Sequence, residues 1–496
     1  MSPTDVNLFT ELIPQGAPSS RAALILPDGG SIGYDELDAL SGRYANALEA
    51  AGLRPGDHVL TIVEKSVNAV AQYLATLRAG GVYIPLNTAY TRAELEYFIA
   101  DAAPAIIVID PSRAAEAVEL SEHLMTRVLT LDGDGSGSLE LDALAADPSH
   151  IPADRVADEI AAVLYTSGTT GRSKGAMLSH GNLLANARAL QQTWAYTEDD
   201  VLVHALPLFH THGLFVGINV SLLSRASVIL LPRFDAVAVA ESLPRASVLM
   251  GVPTYYTRLL ECDDLDALSE HVRLFISGSA PMLSATHSEW RERTGHEIVE
   301  RYGMTETTML TSNPLQGARR PGTVGPPLPG VSVRIAAPDE HGIGMIEVAG
   351  PNVFGGYWGM PEKTAEAFTA DGFFITGDLG RIDDDGYVQI VGREKDLVIR
   401  GGYNVYPKEI ETVIDALDGV AESAVFGVPD ADLGERVVAA VVLDQDSSLD
   451  HEQIADHVAE RLAPYKRPSD YVFMPALPRN IMGKVQKSVL RDVGVA

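Results

Sequence analysis

The chain has a single cysteine, Cys262, in 496 residues. That excludes an internal disulfide framework and any multi-cysteine zinc or iron–sulfur site. Lysine is also scarce: there are eight, and arginine supplies the rest of the 37 basic side chains, against 67 acidic ones and a formal net charge of −30. Such an acidic surface excludes binding of nucleic acid or an anionic membrane through a diffuse basic face. An anionic small molecule can be held only where cations are concentrated, so the position of each lysine is informative. Long apolar runs are missing too; stretches such as 226–231 fall far short of the ~20 residues a membrane-spanning helix needs. The N-terminus carries Asp5 and Glu11 and no basic cluster before an apolar run, which argues against a secretory signal. The expectation is a soluble, cytoplasmic protein.

What remains is an ordinary globular composition, 46% hydrophobic and 21% charged, long enough for more than one core. Residues 34–51 have apolar side chains at helical spacing, 58–63 read as a buried strand, 67–79 as a helix, and 82–85 and 106–109 as strands. The rhythm recurs at 201–205, 228–231, 247–250 and 274–277, and predicts parallel sheets covered by helices. After about residue 320 turn formers crowd in (PGTVGPPLPG, then DDDG), so 320–394 reads as β-rich. From Lys395 onward, helix, strand, strand and helix patterns (407–416, 422–428, 436–443, 451–462) form a compact α+β piece. The fold class is α/β: a large N-terminal body of α/β subdomains plus a β-rich subdomain over 1–394, and a small mobile α+β C-terminal domain over 395–496.

Residues 165–175 read YTSGTTGRSKG. Glycine-freed backbone amides, hydroxyls and one lysine can wrap a polyphosphate. The order of Ser173, Lys174 and Gly175 is not that of a Walker A loop, and composition alone fits an ordinary surface loop equally well. The string itself resembles the signature loop of the adenylate-forming superfamily: acyl-CoA synthetases, adenylation domains and luciferases. The resemblance continues, in the family's order, through RYGMTET (301–307), FITGDL (374–379), VGREKD (391–396), GGYNVYP (401–407) and PRNIMGKVQK (478–487).

The resemblance implies a two-step reaction. A carboxylate attacks the α-phosphate of ATP to give an acyl-adenylate and diphosphate, and a thiol, usually coenzyme A, then displaces AMP. It implies that Thr166, Ser167, Gly168, Thr169, Thr170 and Lys174 hold phosphates and that Glu306 ligates Mg2+, a hard oxygen for a hard cation. Tyr302 would stack on adenine, with Ser279, Ala280, Gly303, Met304 and Thr305 around the nucleotide. Asp378 would accept the ribose hydroxyls, with Arg393 as a second contact. Lys484 is the lysine implied for adenylation, Lys395 or Asp396 the hinge, and Gly401, Gly402 and Tyr403 the face of the pantetheine tunnel.

The acid pocket falls between LPLFHTHG (206–213), GVPTYY (251–256), 277–281 and 304–314, segments that look closest to malonyl-CoA synthetases. A second carboxylate needs a cation or strong donors, because an unpaired buried charge is costly. His210, His212, Arg233 and Arg258 are the candidates, with Ser277 and Met304 lining the site. Ser288 and Leu310 stand where those relatives carry Arg and Asn, and both departures favour a less charged or more apolar acid; Arg291 or Arg293, on the same helix as Ser288, could compensate, but both are expected to face solvent. The expectation is an AMP-forming acid–CoA ligase using ATP, Mg2+ and CoA on a short acid, malonate or methylmalonate first. The alternatives are a ligase for short or medium monocarboxylates, a stand-alone adenylation enzyme loading a carrier protein, and a catalytically dead adenylate-binding protein. Retention of Lys174, Glu306, Asp378 and Lys484 argues against the last. Oligomeric state is not legible.

Overall fold

The computed structural model describes residues 6–13, 21–166, 173–400, 403–430, 433–480 and 483–493. Among these residues the strands form four sheets. One has eight strands in the spatial order Thr308–Ser312, Ile298–Met304, Leu274–Ser277, Val248–Gly251, Val201–His204, Ser227–Leu230, Ala22–Ile25, Ser31–Gly33. A second has six, in the order Arg127–Thr130, Ile106–Ile109, His58–Ile62, Val82–Pro85, Ile160–Thr166, Lys174–Ser179. Both are parallel except at edges, where Lys174–Ser179, Thr308–Ser312 and Ser31–Gly33 run antiparallel to their neighbours. This is the alternating strand–helix pattern realised as covered parallel sheets.

The two sheets share one core. Val59, Ile106 and Leu164 from the six-stranded sheet pack in the same cluster as Val228, Met250 and Ile276 from the eight-stranded one. The helix Val67–Arg78 lies in this layer and is buried on all sides from Ala69 onward, as expected of a helix with no solvent face. Its start is fixed by Ser66, whose side chain accepts from the Ala69 amide. Its polar members are satisfied internally, Gln72 Nε2 bonding Thr76 Oγ1 at 3.2 Å.

The β-rich stretch forms a four-stranded antiparallel sheet, Ser332–Ala336, Gly344–Ala349, Phe374–Ile382, Val388–Arg393. The C-terminal domain is a five-stranded sheet of Tyr403–Val405, Val398–Arg400, Gly434–Leu443, Val420–Asp430 and Asp470–Phe473, backed by helices Pro407–Asp415 and His451–Arg461. It touches the N-terminal body where the Tyr406 hydroxyl donates to Asp339 Oδ2 at 2.9 Å. Among the described residues no helix is long and apolar enough to cross a membrane.

Candidate active site

The motif residues converge where the parallel strands of the eight-stranded sheet end, the usual ligand-binding edge of such sheets. Val201–His204 runs into the segment carrying His210 and His212, Val248–Gly251 into the helix Pro253–Leu259, Leu274–Ser277 into Gly278–Ala280, and Ile298–Met304 into Thr305 and Glu306.

On the nucleotide side, Asp378 is buried and both of its carboxylate oxygens are engaged. Arg393 Nε lies 3.0 Å from Oδ1, and the Tyr302 hydroxyl donates to Oδ2. Tyr302 is thus tied through its edge to the same carboxylate expected to take the ribose. Thr166 and Lys174 are register partners at the ends of two antiparallel strands, so they present both feet of the glycine-rich loop. Ser167, Gly168, Thr169 and Thr170 lie outside the described residues, as do Gly401 and Gly402. Tyr403 is exposed and stacks on Tyr465, 4.8 Å between ring centres. Lys395 sits in the short 3-10 turn Glu394–Asp396, and Arg491 Nη2 is 3.1 Å from Asp396.

Glu306 is buried, and burial pushes its carboxyl above the usual range, opposed by its own backbone amide, Tyr357, Lys174 and Arg393. The Tyr357 hydroxyl donates to Glu306 Oε1 at 3.0 Å, while the Lys174 ammonium sits 4.2 Å above the Tyr357 ring. Tyr357 therefore links the loop lysine to the acidic residue. It lies outside the segments expected at the acid pocket, and nothing in its local sequence marked it as a bridge.

Lys484 reaches this cleft from the C-terminal domain. Its amide donates to Asn480 Oδ1 at 3.0 Å, fixing a tight turn in which Gly483 adopts φ +73° beside Thr254. Its side chain is open to solvent, yet crowding by protein atoms brings its ammonium down to about 8. Arg393 and Arg301 push the same way, and Asp378 and Glu306 oppose them.

The part of the cleft expected to take the acid holds a group that opens the RYGMTET motif but was given no role from sequence. Arg301 is 3% exposed, and its Nε and Nη2 have no hydrogen-bond partner among the described residues. Burial lowers its guanidinium to about 9, and among the described residues Tyr256 alone pulls it back up and no carboxylate pairs with it. It packs against Gly278, where a Cβ would stand 2.5 Å from the guanidinium carbon, so glycine is required at that contact. Glu300 next door belongs to the opposite face of the strand and accepts from the Gly322 amide at 3.2 Å. Other orphaned polar atoms gather nearby: Ser277 Oγ and His212 Nε2 are buried without partners among the described residues. His212 Nδ1 lies 3.4 Å from Ser279 Oγ, and Ser279 is held at φ +71°, a strained value for a residue with a side chain. His210 Nδ1 accepts from the His212 amide at 3.2 Å. Burial first, then Lys484 and Arg301, push His210 down to about 3, so it is neutral at working pH. His212 is likewise held neutral by burial and by Arg301.

The other expected pocket residues lie elsewhere. Arg233 and Arg258 are solvent-exposed, Arg258 6.0 Å over the Phe234 ring, and neither joins the buried cluster. Ser288 is exposed on the outer face of the helix Ser284–Thr294, and Leu310 is 0% exposed in the main core. Neither position joins the buried polar cluster, which corrects the inference that these departures favour a less charged acid. Arg291 pairs with Glu297 at 3.4 Å and Arg293 caps carbonyls of Leu260 and Cys262, so neither compensates within the site.

Comparison with known proteins agrees with this arrangement. A family model described as AMP-binding enzyme matches residues 14–358, and one described as AMP-binding enzyme C-terminal domain matches 409–484. A malonate–CoA ligase from Arabidopsis thaliana is 34% identical, covering 98% of this chain and 88% of its own. A mitochondrial malonate–CoA ligase from Bos taurus is 36% identical, covering 87% and 80%. The crystal structure of ATP-bound MatB from Rhodopseudomonas palustris superimposes with a TM-score of 0.96 at 55% identity over 99% of each chain. The chain belongs to the AMP-binding enzyme family, as an AMP-forming carboxylic acid–CoA ligase whose co-substrates are ATP and coenzyme A.

Proposed function

We propose that the acid is malonate, or a malonate bearing a small 2-substituent, converted through its adenylate to the CoA thioester. The observation that carries this reading is Arg301, a buried guanidinium with two donors unused and no counter-ion among the described residues. Such a group is costly unless an anion completes it, and a second carboxylate does so. Lys484 lies within electrostatic reach of Arg301 and His210, so a dicarboxylate fits with one end on Arg301 and the other at Lys484. Ser277 Oγ and His212 Nε2 are further donors for the distal end. The relatives whose names specify malonate support the same reading.

In this account Thr166 and Lys174, with the intervening loop, hold the β- and γ-phosphates, Tyr302 faces adenine, and Asp378 with Arg393 takes the ribose. Lys484 bridges the attacking carboxylate and the α-phosphate, a role suited to a compact ammonium on a flexible stem. Glu306 is the one residue of the set suited to Mg2+. When bound, the ion neutralises phosphate charge. Residues 1–394 and 395–496 would then act as two bodies pivoting at Lys395, bringing Gly401, Gly402 and Tyr403 to coenzyme A for the second step. A cytoplasmic location, in keeping with a lone cysteine, belongs to the same reading.

The test is diphosphate release with a panel of acids, with and without coenzyme A, and identification of the thioester formed. Malonate should trigger release and give malonyl-CoA and AMP; failure of every acid would end the enzyme reading. The lowered ammonium of Lys484 adds a pH signature. As pH rises through about 8 the free enzyme loses that charge, so kcat/KM for adenylation should fall along an alkaline limb near pH 8. Thioester formation from supplied malonyl-adenylate should lack that limb. A flat adenylation profile to about pH 9.5 would argue against the role of Lys484.

A further inference from the structure

The helix Arg92–Ala102 carries no motif of the family, yet it touches both feet of the glycine-rich loop. It is set by a capping box, with the Thr91 amide donating to Glu94 Oε2 at 2.7 Å, and ends at Ala103 in the left-handed region. Tyr97 and Asp101, four residues apart, share one face of it. The Tyr97 hydroxyl donates to the Ser173 carbonyl at 2.5 Å, one residue before Lys174. Asp101 Oδ2 accepts from the Tyr165 hydroxyl at 2.6 Å, one residue before Thr166. The Asp101 carbonyl accepts from Trp358 Nε1 at 3.2 Å, and the Trp358 amide in turn donates to the Gly175 carbonyl at 2.7 Å. Rings fill the space between: Phe98 lies 4.7 Å from Tyr165 and 5.3 Å from Tyr97, centre to centre.

We infer that Tyr97 and Asp101 are positioning residues for the first half-reaction, clamping the entry and exit of the phosphate loop so that Thr166 and Lys174 meet ATP at a fixed separation. Ordering the strand ends that carry Thr166 and Lys174 before a ligand arrives reduces the conformational entropy those residues lose on binding. Lys174 inherits its place from Ser173, the residue Tyr97 holds. Both side chains act on the loop's feet and neither is placed at the substrate. The inference rests on the loop holding phosphates.

Tyr97→Phe and Asp101→Ala, each removing one hydrogen bond at a foot, should raise KM for ATP about fivefold to tenfold. KM for the acid, and thioester formation from supplied malonyl-adenylate, should stay at wild-type values. Asp101→Asn keeps an acceptor for the Tyr165 hydroxyl and should restore KM for ATP. Amide exchange of the 165–175 peptide in the nucleotide-free enzyme should quicken in Tyr97→Phe and Asp101→Ala, a readout independent of turnover. Unchanged KM for ATP in both variants would overturn the clamp. So would equal losses in both half-reactions with a lowered melting temperature and no rescue by Asp101→Asn. Lys174→Met separates the layers: if it raises KM for ATP while the clamp variants do not, the clamp alone fails; if it has no effect, the phosphate-loop reading and the clamp fail together.

Discussion

Replacing Arg301 with methionine is expected to lower kcat/KM for malonate about a thousandfold, or ~4 kcal/mol, the scale of leaving a charge unpaired inside a protein. The loss should be confined to acids with a second carboxylate. Butyrate, which leaves Arg301 unpaired in the wild-type enzyme, should be used no worse by the variant and should become the better substrate. This follows from where specificity of this size originates: a site built around a buried donor rejects a ligand that cannot satisfy it more strongly than an apolar pocket rejects an extra group. Misfolding would not mimic the result. The guanidinium is held down to about 9 by burial with no carboxylate among the described residues to offset it, so the empty variant should melt at a higher temperature than the empty wild type. Initial rates with both acids and a melting curve check the whole expectation. Equal losses on malonate and butyrate, or a lower melting temperature, would count against it.

Lys484→Ala should reduce acid-dependent diphosphate release about a thousandfold, the scale seen when one preorganised donor is removed from a developing negative charge. Thioester formation from supplied malonyl-adenylate should persist near the wild-type rate. The separation reflects position: Lys484 hangs on a turn of the C-terminal domain, and its ammonium feels the charges of Glu306, Asp378 and Arg301 in the N-terminal body. Once the adenylate exists, the lysine has no charge left to bridge. Measuring the two half-reactions separately checks this, and loss of both would contradict the assignment.

The alternation of apolar runs and helical spacing was enough to read covered parallel sheets and a β-rich stretch, because those patterns are local. Strand order was not legible. Ala22–Ile25 pairs with Ser227–Leu230, Leu24 facing Val228, and no periodicity reports a contact across two hundred residues. The π-helical turn His212–Ile218, within which His212 is buried, was equally silent. The nucleotide side was readable because its residues sit in contiguous motifs, and Asp378, Arg393, Glu306, Lys174 and Lys484 do converge. The acid side was misread for a physical reason. Exposed arginines at 233 and 258 look the same in sequence as a buried one at 301, since only tertiary packing decides which guanidinium loses its water. A cue was available: Arg301 interrupts an otherwise buried strand, IVERYGM, where a charge needs a reason.

The most direct measurement of the central claim is ATP–diphosphate exchange by the wild-type enzyme without coenzyme A, comparing malonate with butyrate as the sole acid. If Arg301 completes a dicarboxylate site, malonate supports rapid exchange and butyrate supports little. Exchange driven by butyrate while malonate is inert would contradict the account.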